Sequence, residues 1–319
     1  MSTRTANHEL SPPPALAKRK RVKTSARGRA AGKSGRDTPR LMKFLTHLAL
    51  IGVCLLGIVP FVWMASVSLK TSTNAMHYPP QLVPRPVVWR NYIDVVRAEH
   101  AGFLLWTRNT MIVAVLSVVG TTLSSAIVAY GFAKIPFRGR GVLFVIMLAT
   151  MMIPFPVTMV PLFRIFRWLG DATGTPWIGT FKPLWVPAWF GSAFNIFLLR
   201  QFFMTIPKEL SEAARIDGCT EMGILFRVIM PLSKPALSVV AVFAFLYAWN
   251  DFLAPLVYIQ RSQQFTLALG LQNFQSQAGG SELNLLMAAS VLVILPIIAL
   301  FFLAQKTFIE GIATTGIKG

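Results

Sequence analysis

The sequence predicts an all-α polytopic membrane protein with six transmembrane helices and a polar helix-turn-helix loop between spans 4 and 5. Three observations carry this. The 319 residues are 54% hydrophobic and only 13% charged, where a soluble domain carries about 25% charged residues. The apolar residues gather into long runs, and about 20 of them in a helix cross about 30 Å of hydrocarbon. Between two such runs the chain turns polar, in the stretch "EAARIDGCTEMGILFRVIMP" from Glu212 to Pro231.

The first element is a basic tail. Residues 1–43 hold 12 of the lysines and arginines, from Arg4 to Lys43, against only Glu9 and Asp37. About half of the formal charge of +19 therefore sits in one segment rich in Pro, Ser, Ala and Gly. Such a composition cannot bury a core, so residues 1–40 are expected to be disordered. The charge belongs beside a membrane rather than on nucleic acid, and it should keep the tail in the cytoplasm. A solvated arm and an arm resting on anionic headgroups both fit. A cleaved leader does not, because the following apolar run is too long and the charged stretch too extended. Gly28-Arg-Ala-Ala-Gly32-Lys33-Ser34 resembles a phosphate-binding loop, but it has three residues between its glycines where four are needed.

The spans follow at Leu41–Leu69, Thr110–Ala133, Val142–Phe163, Pro183–Met204, Ala236–Ile259 and Leu283–Ala304. With the tail inside, the C-terminus is inside too. Lys134–Gly141, Thr205–Pro235 and Gln305–Gly319 are then cytoplasmic, and Lys70–Asn109, Arg164–Lys182 and Gln260–Glu282 are outside. The fourth span contains Arg200, which can reach water from near a helix end. The third carries Pro154, Pro156 and Pro161. Each removes a backbone donor, and helix breaks in lipid often border a transport path. A packing kink and a gate hinge fit the same residues. The fifth holds Trp249, Asn250 and Asp251. These could line a polar cavity with Trp249 facing a sugar ring, but a tie between helices or a backbone bond at the span end suits one polar cluster better.

Cys54 and Cys219 are far apart and the four histidines lack ligand spacing, so neither a disulfide framework nor a metal site is expected. Asp251 is the only carboxylate well inside a span, which argues against a proton relay. No nucleophile–base pair points to a membrane enzyme.

In the loop, Pro207 suits a first helical turn, and Glu209 and Glu212 lie near the positive helix end. Leu210, Ala213 and Ala214 fall on one face, with Lys208, Glu212 and Arg215 on the other. Gly218 ends this helix, Thr220 caps a second with its body at Met222–Met230, and Pro231 and Pro235 stop it. Small Ala213 and Ala214 permit close approach of a partner. A pair of short amphipathic helices fits a docking knob and a lipid surface equally well.

"ELSEAARIDG" followed by "IMP" resembles the cytoplasmic loop of ABC importer permeases, in which Glu-Ala-Ala, Gly and Ile-x-Pro recur; these are Glu212, Ala213, Ala214, Gly218, Ile229 and Pro231. Asn91-Tyr92, "RNT" at Arg108–Thr110, "IPFRGRG", "WNDFLAPL" and "FIEGIATTGIKG" resemble the carbohydrate branch, of the maltose-permease second-subunit type. The resemblance covers residues 41–319 and leaves out only the basic tail. It implies that these residues, with Asp217, form an ATPase-coupling site seated in a cleft of an ATPase subunit. It implies a second permease subunit, two ATPase subunits that hold the ATP and Mg, and an extracytoplasmic sugar-binding protein, with no cofactor and no catalysis on this chain. The place is a bacterial or archaeal cytoplasmic (inner) membrane. The resemblance also implies a sugar site held mainly by the partner permease, and it does not specify the sugar. A proton-coupled secondary carrier and a non-transporting membrane scaffold are the alternatives.

Overall fold

The computed structural model describes residues 40–97, 102–277 and 282–313. The expectations for the basic tail, its near phosphate loop and the last residues after Ala313 lie outside them. All regular structure among the described residues is helical: α1 (Arg40–Ser68), α2 (Ser72–Ala75), α3 (Arg90–Arg97), α4 (Phe103–Lys134), α5 (Arg140–Ala149), α6 (Phe155–Thr173), α7 (Lys182–Trp185), α8 (Ala193–Thr205), α9 (Lys208–Ile216), α10 (Glu221–Ile224), α11 (Met230–Leu232), α12 (Lys234–Asn250), α13 (Leu253–Tyr258), α14 (Leu267–Gln277) and α15 (Leu283–Ala313).

Among these residues, three stretches can each cross a bilayer as one helix: Leu41–Ser68, Phe103–Lys134 and Leu283–Gln305. Counting each bent helix pair as one span raises the number to five. The expected six segments all contain helix, but three of them are broken. The third bends by 100° between Arg140–Met152 and Phe155–Thr173, where Pro154 caps α6 and Pro156 sits in its first turn. The fourth is pieced together from α7, a 3₁₀ stretch at Val186–Phe190 and α8. Pro183 and Pro187 start new helical pieces there, and Gly191 turns the chain at φ +87°. At 13 residues α8 is about 20 Å long, short of a full crossing. The fifth stops at Asn250 and resumes at Leu253.

The first part of α1, up to Leu56, and the chain from Gly57 onward form separate compact units. In the first unit, every residue from Leu41 to Leu56 is exposed and most are apolar, as suits a lipid-facing helix. In the second, α4 is the central element, packed against both α8 and α12. Its inward stripe is small: Ala114, Ser117, Thr121, Ser125 and Ala129 are all buried. Small residues let membrane helices approach closely. At Gly120 the approach is close, since an added Cβ would lie 2.4 Å from the Trp189 ring.

Two cores sit at opposite ends of α4. Ala126, Ala129 and Tyr130 pack with Leu199, Phe203, Ile224, Leu225, Ile229 and Val240. Phe103 and Trp106 pack with Val95, Trp249, Leu267, Ala288 and Ala289. The first core holds the loop, and that end is called the loop end below.

Candidate functional site

The loop begins where Pro207, with φ −53° and ψ 139°, caps α9 one residue ahead of its first helical position. Ser211 and Ala214, one turn apart, are the buried residues of α9. Leu210, Glu212, Ala213 and Ile216 are exposed. The structure therefore divides the faces differently from the expectation that grouped Leu210 with both alanines. Ala214 faces the chain's own core, where its small side chain seats α9, and Ala213 is the alanine left open to a partner. Sequence periodicity cannot tell which side of so short a helix the core will claim.

The turn is tightly bonded. The Asp217 N–H donates to Ala213 O at 3.0 Å, the Gly218 N–H to Arg215 O at 3.0 Å and the Cys219 N–H to Ala214 O at 2.9 Å. Together these satisfy the last carbonyls of α9 in the pattern of a left-handed cap. Gly218 has φ +81°, and an added Cβ would meet nothing within 4 Å. Glycine is needed here for its backbone, not for room.

Thr220 then caps α10, its Oγ1 accepting the Gly223 N–H at 3.2 Å. The expected second helix continues as a π-helical stretch, Leu225–Ile229, and ends in α11. The wider turn brings Ile224, Leu225 and Ile229 to the same fully buried side. Ile229 is thus a core anchor, while Pro231 is exposed.

Glu221 holds the two arms of the loop together. Its carboxylate accepts Arg215 Nε at 2.7 Å and Arg215 Nη2 at 3.2 Å, and on Oε2 it also accepts the Tyr130 hydroxyl at 2.6 Å. The Arg215 bonds, and then the Tyr130 bond, hold the Glu221 carboxyl below the usual range; its hydrogen bond to Glu221 raises Arg215. A second tie lies before α9, where Lys134 Nζ donates to Ile206 O at 2.6 Å. Arg200 serves α4 as well, donating to Phe132 O at 3.3 Å and lying 4.2 Å above the Phe144 ring. The sequence reading missed Tyr130, Lys134 and Glu221. A lone tyrosine and lysine at the loop end of a span, facing an acid in a helix first turn, were the available signal.

Beyond this framework the loop exposes apolar side chains. Ile216, beside Gly218, is 87% exposed, and Leu210, Met222 and Phe226 are also open. With exposed Glu212 and Asp217 the loop presents apolar and charged side chains together, the composition of a docking surface.

The other candidates separate. Trp249 is 1% exposed, stacked on Phe245, and donates its Nε1–H to Val293 O of α15 at 3.2 Å. It ties helices and presents no free face to a sugar ring. Asn250 bonds Leu246 O within α12, and Asp251 Oδ1 accepts the Ala254 N–H that opens α13. The tie between helices is made by their neighbour Trp249, while Asn250 and Asp251 make backbone bonds at the span end, the other half of the same expectation, and Asp251 supports the helix break. Pro154 and Pro156 sit at the 100° bend of the third segment.

The asparagines of the resemblance motifs also find structural work. Asn91 Nδ2 donates to Ser68 O and Lys70 O, both at 2.8 Å, and its Oδ1 accepts from Asn284 at 3.2 Å. Asn109 donates to Gln263 O and Phe265 O, and Thr110 Oγ1 accepts the Leu267 N–H at 2.7 Å. Asn109, which hydropathy places just before the second span, and Thr110, the first residue of that span, together pin the segment that leads into α14. Among the described residues no group of His, Cys, Asp and Glu could hold a metal ion.

Comparison with known proteins places these features in a family. The family model described as "Binding-protein-dependent transport system inner membrane component" matches residues 120–313. The chain is 32% identical over 286 residues to the arabinooligosaccharides transport system permease protein AraQ of Halalkalibacterium halodurans, covering 89% of this chain and 99% of that one. It is 31% identical over 277 residues to the trehalose/maltose transport system permease protein MalG of Thermococcus litoralis, covering 85% and 96%. Among solved structures, a bacterial ABC transporter involved in the import of the acidic polysaccharide alginate superposes with a TM-score of 0.72 at 25% identity, covering 84% of this chain and 97% of that one.

Proposed function

The chain belongs to the family of binding-protein-dependent transport system inner membrane components, and from that premise we propose that it forms half of the translocation path of an ATP-driven sugar importer. A second permease subunit supplies the other half. Two ATPase subunits hold the ATP and Mg, and a sugar-binding protein delivers substrate from outside. The loop lies on the cytoplasmic side with both termini, and Glu212, Ala213, Asp217 and Gly218 form the surface seated in an ATPase subunit. Ala214 and Ile229 hold that surface to the membrane core, while exposed Pro231 sits in the first turn of α11. The relatives named for arabinooligosaccharides and for trehalose and maltose support an oligosaccharide as the substrate class.

The observation that carries this reading is the loop itself: apolar and charged side chains exposed together on a turn that is bonded throughout and anchored in the core. Such a turn can pass a push without deforming. ATP closure in the partner then tilts the helices between inward and outward access, with the energy coming from contacts that differ between the two states. Reconstituting the whole complex in vesicles tests it. Uptake of an arabino- or malto-oligosaccharide is expected to require ATP, the binding protein and this chain. Undiminished uptake after this chain is left out contradicts the reading.

A further inference from the structure

We propose that Tyr130 is a positioning residue that carries movement of the loop sideways into α4, acting through its bond to Glu221. The inference rests on the importer reading above and adds where the push enters the membrane helices.

Two routes lead out of the loop. The first follows the chain into α12. It runs through the π-helical stretch and Ser233, whose φ of −103° and ψ of 14° leave the helix, across an 86° bend between Glu221–Leu232 and Lys234–Asn250. A bend at one residue lets two helices change their angle by rotation about a few backbone bonds, so it transmits a push poorly.

The second route crosses to α4. Tyr130 is 2% exposed and packed in the same core as Ile224, Leu225 and Ile229. Its hydroxyl donates at 2.6 Å to the carboxylate that Arg215 holds with two further bonds. Bonds to an ionised acceptor are short and directional. Lys134 lies one turn further along α4 and grips Ile206 O, so Tyr130 and Lys134 share a face of that helix. The loop is therefore fastened to α4 on both sides of α9, at Ile206 before it and at Glu221 after it. Because α4 packs on both α8 and α12, movement entering there reaches the rest of the helical core.

The test uses the complete importer in proteoliposomes, with the ratio of sugar taken up to ATP hydrolysed as the readout. Tyr130→Phe removes one hydroxyl and keeps the ring. The ratio is expected to fall about tenfold, the scale of one lost charge-assisted bond. Glu221→Ala is expected to lower it as well, and the double variant to be no worse than Glu221→Ala alone, since both act through one bond. An unchanged ratio in Tyr130→Phe overturns the proposal. So does a loss of uptake and ATP hydrolysis in equal proportion, which marks a merely structural residue, or strict additivity in the double variant. Wild-type complex without ATP-driven uptake overturns the importer reading along with this one, whereas normal wild-type coupling with normal Tyr130→Phe coupling overturns this one alone.

Discussion

Gly218 and Glu221 do different work within four residues of each other. Gly218 at φ +81° has open space around it, so a side chain there costs backbone strain of about 1–2 kcal/mol and more for a β-branched one. Gly218→Val is expected to weaken ATPase association and uptake while membrane insertion survives. Gly218→Asn, which tolerates the left-handed region, should recover most of both. Equal loss in the two variants points to a steric cause and contradicts the backbone account. The Arg215–Glu221 pair is partly exposed, at 38% and 42% for the two side chains, so it is worth only about 0.2–1 kcal/mol. Because the Glu221 carboxyl is held below its usual range, its contribution is complete above the unfolded value and fades as pH falls through the folded one. A spin label on Ile216→Cys should report an unchanged loop from about pH 8 to about pH 5 and loosening only under stronger acid. Loosening near neutrality contradicts the assignment.

Helix breaks dominate at the scale of elements. Periodicity and hydropathy located the apolar segments, and among the described residues three stretches can each cross as one helix, but not every interruption was legible. Pro154 and Pro156 in the third segment were visible as breakers, and the chain bends by 100° there. The break after Asn250 was harder to see, because Asp251 reads as a buried acid when its bond to the Ala254 N–H makes it the start of the next helix. Trp249 left two readings open for a related reason, with the tie preferred. An aromatic beside two polar residues suggests a ligand face, but only the packed structure shows that α15 covers it. Trp249→Phe should cost about 1 kcal/mol of stability in detergent for the lost bond to Val293 O, and Trp249→Ala about 3–5 kcal/mol for the lost packing. Sugar affinity should not change in the Phe variant. A weakened sugar KM at unchanged stability restores Trp249 as a substrate contact.

Across the whole molecule, composition alone made the class legible, and the loop motif with its flanking spans made the family legible. Ala213 and Ala214 were readable as helix and Gly218 as its end, because alanine and glycine carry local backbone information. Tyr130, Lys134 and Glu221 were not readable as a unit. The pairs they form span 72 and 91 residues of sequence, and no local pattern encodes that distance. For the same reason the asparagines at Asn91 and Asn109 could be tied to a family but not to the backbone carbonyls they hold.

The central claim is that the tip around Ile216 touches an ATPase subunit on the cytoplasmic side. Its most direct test is a single cysteine at Ile216→Cys, with native Cys54 and Cys219 replaced by alanine, treated with a short bifunctional thiol reagent in the assembled complex. The account predicts a crosslink to an ATPase subunit that forms in inside-out vesicles, not in right-side-out ones, and changes in yield when ATP is bound. A cysteine that reacts only from the outer side, or that never reaches the ATPase in a complex that transports normally, contradicts it.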